Sequence, residues 1–352
     1  MRPFGFAGIC TILGLALLLK SCVKPYQPDT ASIPRALVVE GLITDQPGPY
    51  TVRLTWTADY TATSLNYLVT GATVTLFDNA GNAEVLQGNA NGGIYQTQTM
   101  RGIPGRSYWI TIQLNGKTYQ SNAEVLRLPP PIKQLYYKYK YSPAELTNDL
   151  RNGWDVYVDT QDPDTLGNYY RWSWTHYEFQ DACYITESPT GNIGLPCCSA
   201  CWDISRCYSN CITISSDASI NGKAISGQYI TTVPYTSTDK YYLEVEQQAL
   251  SPGAYQFFNS VNKLVSNTGG LFDAAPSSVQ GNIRCVTDPA ETVYGYFGAA
   301  GSTVQAIKVD RSKDAVGNPV TPLQVTVDSR ATCVECENSI YRTPNQPRWW
   351  NM

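Results

Sequence analysis

Apolar and polar residues alternate with a period of two along much of this chain. In YTVRLTW, Val52, Leu54 and Trp56 point one way and Thr51, Arg53 and Thr55 the other. That is the pattern of a strand with one buried face. ALVVEGLI, ATVTLFD, IYQTQT and SYWITIQL carry the same β-branched and aromatic content. Turn signals fall between them at Asp45-Gln46-Pro47-Gly48, Asp78-Asn79-Ala80-Gly81, Asn91-Gly92-Gly93 and Leu114-Asn115-Gly116-Lys117. In the last two, Asn-Gly tolerates the positive φ of a tight hairpin. About seven short strands in roughly 90 residues predict an immunoglobulin-like β-sandwich over residues 36–127.

Leu128-Pro129-Pro130-Pro131-Ile132 breaks the pattern. Consecutive prolines remove donors and favour polyproline II, so residues 128–133 are expected to be a linker. Strand patterns resume in QLYYKYKY, GWDVYVD, NYYRWSWTHYEF, GQYITTVPY, KYYLEVEQQ, TVYGYFGAAG and STVQAIKVD. They predict a second β-sandwich-like domain over 134–352. One helix interrupts it. Ser251 is a good N-cap and Pro252 suits the first helical position. Tyr255, Phe258, Val261, Leu264 and Val265 then follow at helical spacing, and Asn267-Thr268-Gly269-Gly270 stops the run. The helix is expected at 251–266. The fold class is therefore mostly β, with no internal repeat.

Composition narrows the class. The 352 residues suit two domains. Charged residues make up 15%, against about 25% in an ordinary soluble domain. With 25 tyrosines and eight tryptophans the chain is too aromatic for disorder. A net charge of −4 argues against a nucleic-acid partner.

The first 21 residues have the form of an export signal. Arg2 is the positive start, and the apolar run from Phe4 to Leu19 is short of the about 20 residues that span a bilayer. Leu19-Lys20-Ser21-Cys22 resembles a lipobox, although Lys20 stands where a small or apolar residue is usual. The resemblance implies cleavage before Cys22, a diacylglycerol thioether on its sulfur (a palmitate-type anchor) and acylation of the new amine. The competing reading is an ordinary signal peptide with an incidental cysteine. Residues 22–35, with three prolines between Val23 and Pro34, form an extended tether.

Nine cysteines remain beyond Cys10 and Cys22. Cys183, Cys197, Cys198, Cys201, Cys207 and Cys211 crowd one window, Cys285 stands apart, and Cys333 and Cys336 form a C-x-x-C in the C-terminal tail. An exported chain meets an oxidising compartment, so all nine are disulfide candidates, with one left over. Six cysteines allow fifteen pairings, and spacing does not choose among them. The 183–211 window shows no clean periodicity and is expected to be a long loop stapled by its own bridges. A rival reading joins the C-x-x-C at 198–201 with that at 333–336 into a four-cysteine zinc site.

The search for catalysis is negative. His176 is the one histidine and shares a strand face with Trp172 and Trp174, which suits a packed ring. Two-histidine zinc motifs, G-x-S-x-G and phosphate loops are absent. Asp159, Asp162 and Asp164 offer weak calcium candidates, but their spacing is that of a turn rather than an EF-hand. Glu244 and Glu246 alternate on one strand face. Tyr136, Tyr137, Tyr139 and Tyr141, with Trp349 and Trp350, offer either packing or a stacking surface for sugar or peptide. No cofactor is expected.

Several segments in order carry a wider resemblance. The lipobox, LVVEGLITDQPGPYTVRL after the tether, GLFDAAPSSVQGNIRC, VYGYFGAAG and the closing CVEC…PNQPRWW are similar to a Bacteroidota lipoprotein family catalogued as domain of unknown function 4249. The Cys333–Cys336 pair and the terminal Trp fit its pattern; the cluster from Cys183 to Cys211 is denser than the family's. The resemblance spans nearly the whole mature chain. It implies a non-catalytic outer-membrane lipoprotein, an accessory binding partner of a TonB-dependent transporter, with its ligand unknown. A cell-envelope polymer hydrolase and a structural or adhesive module are the alternatives. Val-Lys-Pro-Tyr-Gln after Cys22 lacks the acidic run linked to surface export in that phylum, so both the periplasmic and the surface face stay open.

Overall fold

The computed structural model describes residues 35–58, 67–89, 92–141, 152–189, 191–207, 211–266, 279–320 and 325–352. The expected signal peptide, Cys22 and all but the last residue of the tether lie outside the described residues. In chain order the first strands are β1 (Leu37–Thr44), β2 (Thr51–Trp56), β3 (Thr73–Asp78), β4 (Ala83–Val85), β5 (Gln87–Gly88), β6 (Ile94–Gln96), β7 (Ser107–Leu114), β8 (Lys117–Ser121) and β9 (Glu124–Val125). Next come β10 (Ile132–Lys140), β11 (Gly153–Gln161), β12 (Tyr169–Phe179), β13 (Ala182–Ser188), β14 (Gly191–Pro196), β15 (Trp202–Arg206), β16 (Thr213–Ser216), β17 (Ala224–Pro234) and β18 (Lys240–Leu250). The helix α1 (Pro252–Ser266) precedes β19 (Ile283–Cys285), β20 (Val293–Ala300), β21 (Ser302–Asp310), β22 (Val325–Val327) and β23 (Arg342–Thr343). The chain is mostly β, as its patterning predicts.

The first sandwich has two sheets, ordered β20-β1-β2-β6-β5 and β19-β8-β7-β3-β4, with β9 on β7. Leu37, Val39, Val52 and Leu54 meet Val74, Leu76, Ile110 and Ile112 in its core. The alternation in YTVRLTW is realised, with Val52 and Leu54 buried and Thr51 exposed.

The domain boundaries drawn from sequence need correction. Residues 283–300 do not belong to the second unit. β20 runs parallel to β1 from Leu37↔Val293 to Thr44↔Ala300, and β19 pairs with β8. The first sandwich is therefore completed by strands that start at Ile283 and Val293, far downstream of its start at Leu37. VYGYFGAA is largely buried on both faces, so it lacks the alternation that would have assigned it to one sheet. The expected linker 128–133 is not free either. β10 begins at Ile132, and the Pro130 and Pro131 carbonyls accept hydrogen bonds from Gln247 Nε2 (2.7 Å) and Thr160 Oγ1 (3.0 Å).

The second sandwich sets β10-β11-β17 against β21-β18-β12-β15-β23, with β16 on β12. Trp154, Val156, Val158, Trp172, Leu243 and Val245 fill its core. The Cys-rich window is not a loop: β13 and β14 form a hairpin, joined by β22 in a third small sheet. Most of β13 is exposed, so no buried face imposed a period on its sequence.

Gly301 lies where the two sandwiches meet. Its N–H donates to the Arg127 carbonyl (2.8 Å), and its own carbonyl accepts from Ala249 N (3.1 Å). A Cβ there would stand 2.4 Å from the Arg127 oxygen, so only glycine fits. Helix α1 starts where sequence placed it, one residue after its cap. Ser251 Oγ accepts from Ala254 N (3.1 Å), which satisfies one of the orphan donors of the first turn. No described helix is long and apolar enough to cross a membrane.

Candidate functional site

The inward face of β1 builds the first core, and its outward face carries Val38 and Leu42. An outward face left to water would be polar. This one is covered by α1, and the two surfaces do not close on each other. A cavity of about 750 Å³ lies between them. Tyr294, Tyr296 and Ala300 of β20 extend its floor, and Phe257, Phe258, Val261 and Leu264 of α1 form its roof. Gly295 and Gly298 keep the floor low. Gly295 has φ of 92° and a Cβ there would lie 1.9 Å from the Val39 oxygen, so no other residue allows β20 to approach β1 this closely. At the rim Arg53 and Glu40 form an exposed ion pair at 3.8 Å.

The end wall is polar. Arg171 of β12 and Gln248 of β18 are directly opposed across the strand pair and both line the cavity. The Arg171 guanidinium lies 4.3 Å from the Phe258 ring centroid. Its Nε and the Gln248 Oε1 are buried without a hydrogen-bond partner. Burial lowers the Arg171 pKa, and the field of Glu246 opposes that effect; a guanidinium stays charged regardless. The Glu246 carboxylate is itself held by Ser302 Oγ (2.5 Å) and Ser173 Oγ (3.4 Å). On the floor, Tyr296 donates to Glu124 Oε1 (2.5 Å). Burial and then that carboxylate push the Tyr296 phenol well above its ordinary pKa. Among the described residues the lining places no nucleophile beside a base. The lining is mainly apolar, with the ion-paired Arg53 at its rim and Arg171 in its polar wall.

The cysteines lie elsewhere. Cys183 is bonded to Cys197, Cys198 to Cys333, Cys201 to Cys336 and Cys207 to Cys211. Cys285 is a buried free thiol. The two C-x-x-C segments that spacing also offered to zinc are joined to each other by two bridges. Cys183, Cys197 and Cys201 have sulfurs within 4.8 Å of one another, but all three are engaged in disulfides. The pairing across the chain was not readable from spacing.

The calcium candidates do not converge. Asp159 Oδ1 accepts from Gly227 N (2.6 Å), and Asp164 Oδ1 from Asn221 Nδ2 (3.3 Å). The buried Asp162 accepts from the Tyr170 hydroxyl and from Gly222 N (2.9 Å). Protein donors therefore occupy each carboxylate, and the three form no common cluster among the described residues. His176 is buried with Nδ1 2.7 Å from the Tyr242 carbonyl oxygen. Its ring stacks on Tyr241 at 3.6 Å, and Arg311 lies over the same tyrosine at 5.2 Å. Glu244 meets Arg348 at 3.3 Å. Tyr136 stacks on Tyr157 and Tyr139 packs on Trp154. The Tyr137 hydroxyl oxygen accepts from Asp310 N at 3.4 Å, and Trp350 packs on Trp202 and Tyr242. Tyr141 and Trp349 stay exposed. The aromatics thus mainly build the second sandwich. Sequence reasoning passed over Arg171 and Gln248; the available signal was a lone cation on the face opposite Trp172 and Trp174 in YYRWSW.

A search of the curated proteins finds no match. The profile of a family described as Domain of unknown function (DUF4249) matches residues 23–306, a span holding both walls of the cavity and every one of its lining strands. With four-fifths of its length matched, the chain belongs to that family.

Proposed function

We propose that the chain is a non-catalytic binding protein of the cell envelope, held at the outer membrane through Cys22, which captures a small apolar ligand between α1 and the β1–β20 floor. The cavity carries this reading: it falls within the about 300–1,000 Å³ typical of small-molecule sites and is lined mainly by apolar residues. The lipobox-like Leu19-Lys20-Ser21-Cys22 supports the anchor. The family likeness suggests the partner, a TonB-dependent transporter to which captured ligand is passed.

Nile red, a neutral apolar dye, tests the capture step. The purified Cys22→Ala protein is expected to bind it saturably with a blue shift in emission. Val261→Trp, which fills the cavity from the helix side, is expected to weaken binding at least tenfold. Absence of saturable binding would overturn the reading. Crosslinking of the anchored protein in cells is expected to recover a TonB-dependent barrel.

A further inference from the structure

We propose that the ligand is a single-chain amphiphile with an anionic head, whose charge is received by Arg171. This deepens the binding reading above and rests on it. The observation is the state of Arg171. Its side chain is carried by a central strand, its Nε is buried, and its guanidinium makes no salt bridge or hydrogen bond among the described residues. The nearest carboxylate it feels, Glu246, is bonded to Ser302 and Ser173 instead. Arg171 as a whole is half-buried, and a partly desolvated charge with no hydrogen-bonding partner is costly, so folded proteins retain one chiefly where something else completes it. An oxyanion completes it best, because the guanidinium fork matches a carboxylate or phosphate with two parallel bonds. Gln248 adds a second unsatisfied polar group beside it. The same cavity is lined by Phe257, Phe258, Val261, Leu264, Leu42 and Val38, side chains that offer an alkyl chain no polar contact. A cation without a hydrogen-bonding partner beside an apolar lining is the complement of a fatty acid or a lysophospholipid.

The test is displacement of Nile red from the Cys22→Ala protein by three competitors of matched chain length: palmitate, hexadecanol and palmitoyl-lysophosphatidylglycerol. Palmitate is expected to displace the dye at least tenfold more strongly than hexadecanol. Arg171→Met, which keeps the stem and removes the charge, should bring the palmitate-to-hexadecanol displacement ratio to within twofold of one. Arg171→Lys should keep part of the preference. Arg171→Met should also raise the melting temperature of the ligand-free protein, because it removes a partly desolvated charge that has no hydrogen-bonding partner; a merely structural arginine would lower it. A stronger response to the lysophospholipid would retain the anionic head and assign the ligand to membrane lipid rather than free fatty acid. Equal displacement by palmitate and hexadecanol, unchanged in Arg171→Met, would overturn the proposal while Nile red binding still stands. Failure of Nile red to bind would instead remove the cavity reading beneath it.

Discussion

Asp78 is only 3% exposed, yet it remains a carboxylate. Burial alone would push its pKa up. Donors from Asn82 (2.8 Å and 2.9 Å), Arg106 (2.7 Å) and Ala80 (3.0 Å) outweigh that and hold it below the ordinary aspartate value. A folded-state pKa below the unfolded one stabilises the protein above the unfolded value of about 3.9, and that stability is lost as pH falls through the folded pKa. Asp78→Asn is expected to cost about 1–3 kcal/mol at pH 7. In urea titrations from pH 7 to 2 its stability should fall less steeply below pH 4 than that of the wild type. The turn at Asp78-Asn79-Ala80-Gly81 was legible in sequence because turn chemistry is local. The anion site was not, because Arg106 arrives from 28 residues away. The same limit hid Arg171: which face of a strand meets a cavity depends on what covers it, and here the cover is a helix some 80 residues later.

At the scale of elements, the disulfides divide into unequal kinds. Cys198–Cys333 and Cys201–Cys336 each close a separation of 135 residues. Once either bridge exists, the other closes only a ring of a few residues. Chain-entropy arithmetic gives about 5 kcal/mol for the first closure and about 2–3 kcal/mol for the second. Paired Cys198→Ser and Cys333→Ser changes are therefore expected to cost about 2–3 kcal/mol. Replacing all four cysteines should cost well over twice as much, read by guanidinium unfolding under non-reducing conditions. The start and period of helix α1 were legible, because Ser251 and Pro252 mark its start and five apolar residues set its period; its expected stop at residues 267–270 lies outside the described residues. The hairpin of β13 and β14 was not, because its exposed faces carry no alternation. Strand β20 was recognisable as a strand, but its partner was not, since parallel pairing leaves no turn in the sequence to point to it.

The whole molecule is two sandwiches locked at one seam. Ser302 N donates to Asp45 Oδ1 (2.8 Å) and Gln46 Nε2 to the Ser302 carbonyl (3.0 Å), beside the contacts of Gly301. A cavity bounded by β1, β20, α1 and the ends of β12 and β18 needs that seam, because its walls come from both sandwiches. Position in the cell is the other property of this scale. Cys22→Ala is expected to abolish metabolic labelling with a palmitate analogue and to move the protein into the soluble envelope fraction; retained labelling and membrane association would show that the anchor lies elsewhere. The parallel strand β20 also sets a timetable. A sandwich whose sheet is closed by residues 293–300 cannot finish folding when residue 127 has been made. At about 5–20 residues per second, synthesis leaves roughly 10–35 s in which β1 presents an open edge. That interval is a standing demand on whatever keeps nascent strands apart until the last of the floor arrives.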